Sequence, residues 1–370
     1  MSTSELSKEE KLKQLKPTIG VIKKAHGEES IIRGKDQERR EIPCFPTGLF
    51  TLDKALGIGG IPKGRIIEIF GNESGGKTSL CLHIAGRIQK QSGLIGFIDA
   101  EHALDPKWAT KLGLDVDDLL ISQPNTGEEG LEIAESLIRS NLMDLIIIDS
   151  VAALVPKSEI EKDMGESSMG RHALLMSQAC RKLTSAIAKT NTTVIFINQI
   201  RDKFSTGPSY GPQFTTPGGH ALKFFASVRM EIRRMETLKR GEDSYGIKAN
   251  VKIVKNKVSP PFKTAQIDLI FDQGWDEQNS LIEGIMDSDV IDKAGAWITY
   301  KTERFNGKAA FSEYLKSNPA EIENLRNMIL FAPPKEDKKE RAPRQKKGTE
   351  AESLPSPVQE TEVTTEGDTQ

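Results

Sequence analysis

One stretch constrains this chain more than any other. Arg65 to Phe70 is a short β-rich run carrying Ile66, Ile67 and Ile69, and it leads straight into Gly71-Asn72-Glu73-Ser74-Gly75-Gly76-Lys77-Thr78. The octad fits G-x-x-x-x-G-K-[ST], and a helix-like run from about Lys77 to Gln91 follows it, so the strand-before, helix-after context is present. Each residue type has a physical task. The glycines let the backbone bend so that successive N–H groups point at phosphate oxygens. The helix adds its partly positive N-terminus. Lys77 places an ammonium on the β- and γ-phosphates, and the Thr78 hydroxyl is suited to Mg²⁺. A Gly-rich turn alone is most often just a turn; here the whole arrangement predicts a bound nucleotide.

At 370 residues the chain is long for one core, so one large domain with appendages, or two domains, is expected. A net charge of −2 gives no bulk attraction to nucleic acid or membrane, so a polyanion site must come from local clustering. Cys44, Cys81 and Cys180 are widely spaced and form no Cys-x-x-Cys pair, which supports neither a disulfide framework nor a zinc site. Met1 to Lys16 is charged and lacks an apolar signal core, and no run approaches about 18 apolar residues. The expectation is a cytoplasmic protein with no membrane partner.

Glu5 to Leu15 has helical composition and is expected to stop at Pro17, with a short amphipathic turn from Ile19 to Ala25. It is either a helix on its own domain or an arm docking on a neighbouring subunit. Beyond it, Leu94–Ile98, Leu119–Ile121, Leu145–Ile148 and Val194–Ile197 read as buried strands, and Gly127–Ser140 and Met169–Thr190 as helices. Continuous apolar strands alternating with helices predict an α/β fold with a mainly parallel sheet covered on both faces. Ligands in such sheets sit beyond the carboxyl ends of the strands. Asp99, Glu101, His102 and Asp105 follow one strand, Asp149 and Ser150 the next, and Asn198 and Gln199 the last. Asp149 ends an apolar strand in the Walker-B manner and is expected to hold Mg²⁺, although alone it would read as a helix cap. Glu101 is the candidate to orient water, against the plainer reading of a solvated loop acid.

Residues 202–219 are rich in Gly and Pro and carry Lys203, Phe204, Tyr210 and Phe214, flanked by Arg201, His220 and Lys223. So long a loop inside a compact domain is usually functional or disordered. Cations and aromatics on such a backbone suit a nucleic-acid strand, and equally an ordinary lid. A second candidate loop spans 156–170. From Ser227 the period becomes alternating, at Val228–Ile232, Val251–Val254 and Ile267–Ile270, which reads as antiparallel strands extending the sheet. Residues 276–331, with Ile285, Trp297, Phe311, Tyr314 and Leu325, read as a small α/β domain. From Pro333 the apolar content is too low to fold: residues 335–347 carry +4 and residues 350–370 carry −6. That is a solvated tail, or one that competes with DNA for the basic loops.

Several stretches go beyond a generic ATPase. Gly71–Thr78, Phe97–Pro106, Asp149–Leu154, Phe196–Arg201, Ala221–Arg229, Val254–Lys257 and Lys293–Trp297 together resemble the bacterial RecA recombinase family, over roughly Ile19 to Phe331. The resemblance implies a helical homo-oligomer on single-stranded DNA, with ATP and Mg²⁺ between subunits. It implies homologous pairing with duplex DNA and strand exchange in recombinational repair, and stimulation of repressor self-cleavage in the SOS response to DNA damage. It implies nucleotide contacts from Gly71, Asn72, Glu73, Ser74, Gly75, Gly76, Lys77, Thr78 and Ser79, with Asp105 and Trp108 at the adenine and Thr78 and Asp149 at the metal. It makes Glu101 the catalytic glutamate and Gln199 the γ-phosphate sensor, with Lys255 and Lys257 reaching a neighbour's γ-phosphate. DNA contacts fall on Met169, Gly170, Ser177, Arg181, Thr215, Thr216, Gly218, Gly219 and His220, with Phe204 as a wedge between base triplets. The implied divisions are a polymerisation arm (1–36), an ATPase and DNA-binding core (37–275), a duplex-capturing domain (276–331) and a charged tail (332–370).

The chain departs from the family's pattern at Asn72 and Gly75 in the phosphate loop and at Phe214, Pro217 and His220 in the second DNA loop. It departs also at Leu174 and Phe271. Two other functions are compatible with the fold: a closed-ring ATPase of the helicase or clock type, and a non-catalytic filament serving as a scaffold.

Overall fold

A computed structural model of the protein describes residues 6–34, 42–163, 170–202 and 214–331. The tail, residues 203–213 and residues 164–169 lie outside these, and the expectations made for Met169, Phe204 and the tail fall there.

Four apolar runs form β1 (Ile66–Gly71), β2 (Ile95–Asp99), β4 (Leu145–Asp149) and β5 (Thr193–Gln199), with β3 (Leu120–Ser122) at the edge. Why these runs are continuously apolar is visible in their packing. Leu145 and Ile147 join a cluster with Leu80, Ile84 and Ile88 of α3 (Lys77–Gln89). Ile146 and Ile148 face the other way, onto Leu131 and Ile138 of α5 (Gly127–Arg139) and Cys180 and Leu183 of α6 (Arg171–Ile187). Both faces of β1, β2, β4 and β5 are covered, so alternation has nothing to report; β3, expected to be buried, lies at the sheet edge with Leu120 and Ile121 exposed.

The remaining strands are β6 (Val228–Arg240), β7 (Asp243–Asn256), β8 (Thr264–Ile270) and β9 (Gly274–Trp275). The full order is β9-β8-β7-β6-β1-β5-β4-β2-β3. Only β7, β8 and β9 pair antiparallel with the strand before them; β6 runs parallel to β1, with Val228 beside Ile67. The expected antiparallel pairing therefore holds between β6 and β7 and fails where β6 meets β1. Strand β6 follows β5 by a crossover through α7 (Ala221–Phe225), which permits the parallel direction beside β1, and the chain reverses only at the hairpin after Arg240.

A second correction concerns the N-terminus. Helix α1 runs unbroken from Lys8 to His26 with Pro17 inside it. A reciprocal cap between Ser7 and Glu10 fixes its start and Lys23, Lys24 and His26 line its last turn. No α1 residue is buried, so the ring of Pro17 displaces a carbonyl that water can serve instead.

Past β9, α8 (Glu277–Met286), a three-stranded antiparallel sheet (β10 Asp292–Ala294, β11 Trp297–Tyr300, β12 Glu303–Asn306), α9 (Gly307–Ser317) and α10 (Pro319–Leu330) form the small α/β unit. Its core of Ile285, Ile291, Tyr300, Phe311 and Leu325 also takes in Phe50 from α2 (Phe50–Leu56). A Cβ at position 284 would come within 2.4 Å of the Phe50 ring, so a glycine is what admits it. Trp297, expected in this core, is 41% exposed, with the Arg304 guanidinium 4.9 Å from its ring centre. Among the described residues no helix is long and apolar enough to cross a membrane.

Candidate nucleotide and nucleic-acid site

The carboxyl ends of β1, β2, β4 and β5 lie side by side in the parallel sheet, and the polar groups that follow them meet there. The phosphate loop leaves β1, and Gly76, in the left-handed region at φ 88°, caps α3. Lys77 Nζ folds back onto the Asn72 carbonyl at 2.8 Å. Thr78 Oγ1 donates to Asp149 Oδ2 at 2.7 Å, joining residues 71 positions apart. Burial pushes the Asp149 carboxyl up to about 6, with Glu101 and Asp99 adding to the shift and the Thr78 hydrogen bond opposing it. Burial also holds the Lys77 ammonium below its usual range, against the pull of Asp149, Glu101 and Glu73. A divalent cation beside Asp149 and a phosphate against Lys77 would reverse both shifts, so these residues fit that pair. Among the described residues no group of three or more His, Cys, Asp or Glu could hold a metal unaided. A cation at this place would share its coordination with phosphate oxygens.

Glu101 stands at the centre of the strand ends. Its Oε1 accepts from Gln199 Nε2 at 3.1 Å and also from Ser150 Oγ. Asp99 shapes the turn that carries it, accepting from Ala103 N (3.1 Å), Leu104 N (3.3 Å) and Gln123 Nε2 (3.0 Å). Asp105 caps α4 (Pro106–Lys111) by accepting from Lys107 N and Trp108 N, and Trp108 Nε1 donates to Ser79 Oγ at 3.0 Å. The phosphate loop and the aromatic at the expected adenine position are thus tied together.

Lys255 and Lys257 are not brought to this place within one chain. They lie where β7 ends, beside the start of β6 and so at the opposite end of the sheet from the phosphate loop. Lys255 Nζ donates to the carbonyls of Lys223 (2.6 Å) and Phe224 (2.9 Å), and Lys257 Nζ to that of Phe224 (3.3 Å).

The expected DNA positions gather on another surface. Gly170 starts α6, which carries Ser177 and Arg181, the latter donating to Ser177 Oγ at 3.0 Å. Gly218 packs over Val151 and Met176, and Gly219 over Ala173, so the end of the second loop lies on the first half of α6. Thr215 pairs with Arg201, His220 precedes α7, and the Thr216 side chain is buried rather than presented.

Residue-by-residue reading gives no role to three groups. Ser150 and Gln123 look like ordinary strand-end polars. Glu68 gives a clearer signal, since an acid stands between Ile67 and Ile69 in a strand otherwise apolar. It is fully buried, accepts from Asn198 Nδ2 at 2.9 Å and pairs with the Arg229 guanidinium.

Comparison with known proteins adds independent findings. Residues 13–276 match the family model described as the RecA N-terminal domain, and residues 279–332 that of the RecA C-terminal domain. The Heliobacterium modesticaldum protein named "Protein RecA" is 49% identical over 321 residues, 86% of this chain and 92% of that one. The Staphylococcus epidermidis protein of the same name is 50% identical over 311 residues, 84% of this chain and 88% of the relative. The one from Bifidobacterium longum is 49% identical over 316 residues, 85% and 79% respectively.

Proposed function

The chain belongs to the RecA family, and from that premise we propose how it works as the recombinase that this membership makes it. It is an ATPase that assembles with copies of itself on single-stranded DNA, pairs that strand with homologous duplex and exchanges strands. The observation that carries the nucleotide half of this reading is the Thr78–Asp149 hydrogen bond, set beside Glu101 and Gln199 on neighbouring strand ends.

Bound ATP supplies a cleavable phosphoanhydride, and Mg²⁺ screens its charge. Residues 71–79 would cradle the phosphates, Lys77 would neutralise them, and Thr78 and Asp149 would hold the metal. Glu101 would orient water toward the γ-phosphorus, and Gln199 would exchange its bond to Glu101 for one to phosphate. Because β5 runs from Gln199 into the second loop, that exchange would couple nucleotide to DNA. The place of Lys255 and Lys257 at the far end of the sheet favours a nucleotide completed by the next copy. Asp105 and Trp108 at adenine, α1 as the arm reaching a neighbour, residues 276–331 for duplex capture and the repressor of the SOS response as a partner belong to the same proposal. So do Gly170, Ser177, Arg181 and residues 215–220 on DNA.

The test is ATP hydrolysis with and without single-stranded DNA at low salt, alongside strand exchange between homologous oligonucleotides. Hydrolysis should rise with DNA and disappear in Lys77→Ala. Turnover indifferent to DNA would sink the reading.

A further inference from the structure

Glu101 is an exposed side chain with three rotatable bonds, yet one of its carboxylate oxygens is held by two donors. The donors are unlike each other. Gln199 sits at the half-exposed end of β5 on a long side chain that the proposed function asks to move. Ser150 is 1% exposed, directly follows β4, and has one side-chain torsion. Its hydroxyl proton is committed to Glu101 Oε1.

We propose that Ser150 is a positioning residue for ATP hydrolysis: its buried hydroxyl anchors Oε1 of Glu101 and leaves Oε2 to orient the attacking water. The inference rests on the reading of Glu101 given above. When Gln199 turns to phosphate, Ser150 keeps the carboxylate in place, so the water-orienting oxygen does not wander as the sensor responds. Asp99 supports the same end by fixing the backbone turn beneath Glu101, while Ser150 fixes the head group. A misplacement of about 1 Å is enough to cost roughly 100-fold in rate, whereas the phosphates and metal are held by other residues. Loss of the anchor should therefore fall on turnover and spare binding.

The experiment is a double-mutant cycle on DNA-stimulated ATP hydrolysis, using Ser150→Ala, Glu101→Gln and both together. Ser150→Ala should lower kcat by about 10- to 100-fold with KM for ATP unchanged. Binding of a fluorescent ATP analogue and assembly on an unpaired oligonucleotide should match the parent protein. In the Glu101→Gln background, Ser150→Ala should cause no further loss. Parental turnover in Ser150→Ala beside an impaired Glu101→Gln overturns this proposal alone, and so do losses that multiply. Turnover that survives Glu101→Gln overturns the role given to Glu101 and this proposal with it. Should Ser150→Ala fail to fold, Ser150→Cys retains the size with a weaker donor and must show the same split between kcat and KM.

Discussion

The indole of Trp275 packs against Gly76 of the phosphate loop, so close that a Cβ at 76 would meet its Cζ2 and Cη2 at 3.1 Å. Gly76 is also in the left-handed region, at φ 88°. Gly76→Ala thus combines a backbone penalty of about 1–2 kcal/mol with an overlap against a buried ring costing about 1–3 kcal/mol. The loop should shift rather than the core, so nucleotide affinity should fall at least about 10-fold while the fold survives. Titration with a fluorescent ATP analogue measures the first and circular dichroism the second. Parental affinity in Gly76→Ala would mean that the loop does not depend on this packing.

Glu68 offers a test of the core beneath the site. Its carboxylate is fully buried in β1 between Asn198 and Arg229, and the Arg229 guanidinium is also stacked 4.6 Å from the centre of the Phe70 ring. Removing one partner of a buried pair strands the other charge. Arg229→Met should lower unfolding free energy by about 3–5 kcal/mol, and adding Glu68→Gln should recover part of that loss. Denaturant titration of the three variants checks both statements. Equal stability of the single and double variants would show that the pair is not coupled.

How much of this was legible in the sequence differs from element to element, for physical reasons. The phosphate loop and the strands after it are readable because burial on both faces forces continuous apolar runs, and because phosphate binding admits few residue types at fixed spacing. The parallel pairing of β6 with β1 is not readable: alternation of Val228, Met230 and Ile232 reports burial, while pairing direction depends on the crossover through α7. Pro17 misleads because its cost depends on whether water can serve the displaced carbonyl, a property of the exposed surface of α1. The role of Ser150 is invisible for another reason. A hydroxyl after a strand is common, and only the three-dimensional approach of Glu101 distinguishes this one.

Asp53 makes stability depend on pH. It is buried in α2, where Oδ1 accepts from the amide and hydroxyl of Thr47 at 2.9 and 2.7 Å, and Oδ2 lies 3.7 Å from Arg326 Nη2. Burial pushes its carboxyl from the ordinary 3.8 up to about 6, although the Thr47 hydrogen bonds and Arg326 pull the other way. Between those two values the folded chain keeps a proton that the unfolded chain has released, so this group removes stability as pH rises through the window. The full effect is of order 3 kcal/mol by pH 7. Asp53→Asn carries no such proton, and its melting temperature should gain on the parent's between pH 4 and pH 7. A difference that stays constant across that range would show that Asp53 does not titrate there.

The far placement of Lys255 and Lys257 leads to the sharpest test of shared sites. Within one chain they rest on carbonyls of α7, at the end of the sheet away from Lys77. If each nucleotide lies between a phosphate loop and the lysines of the next copy, the contact is head-to-tail, and every interface takes one contribution from each side. Lys77→Ala should then be inactive through its own loop while still supplying intact lysines. Lys255→Ala with Lys257→Ala should be inactive through its lysines while still supplying an intact loop. Mixed in equal amounts on single-stranded DNA, the two proteins place a sound loop against sound lysines at about one interface in four, and about a quarter of parental ATP hydrolysis should return. Separate assembly of each protein on DNA before mixing should abolish the recovery, since no mixed interface can form. A random mixture no more active than its components would place both lysines outside the nucleotide site.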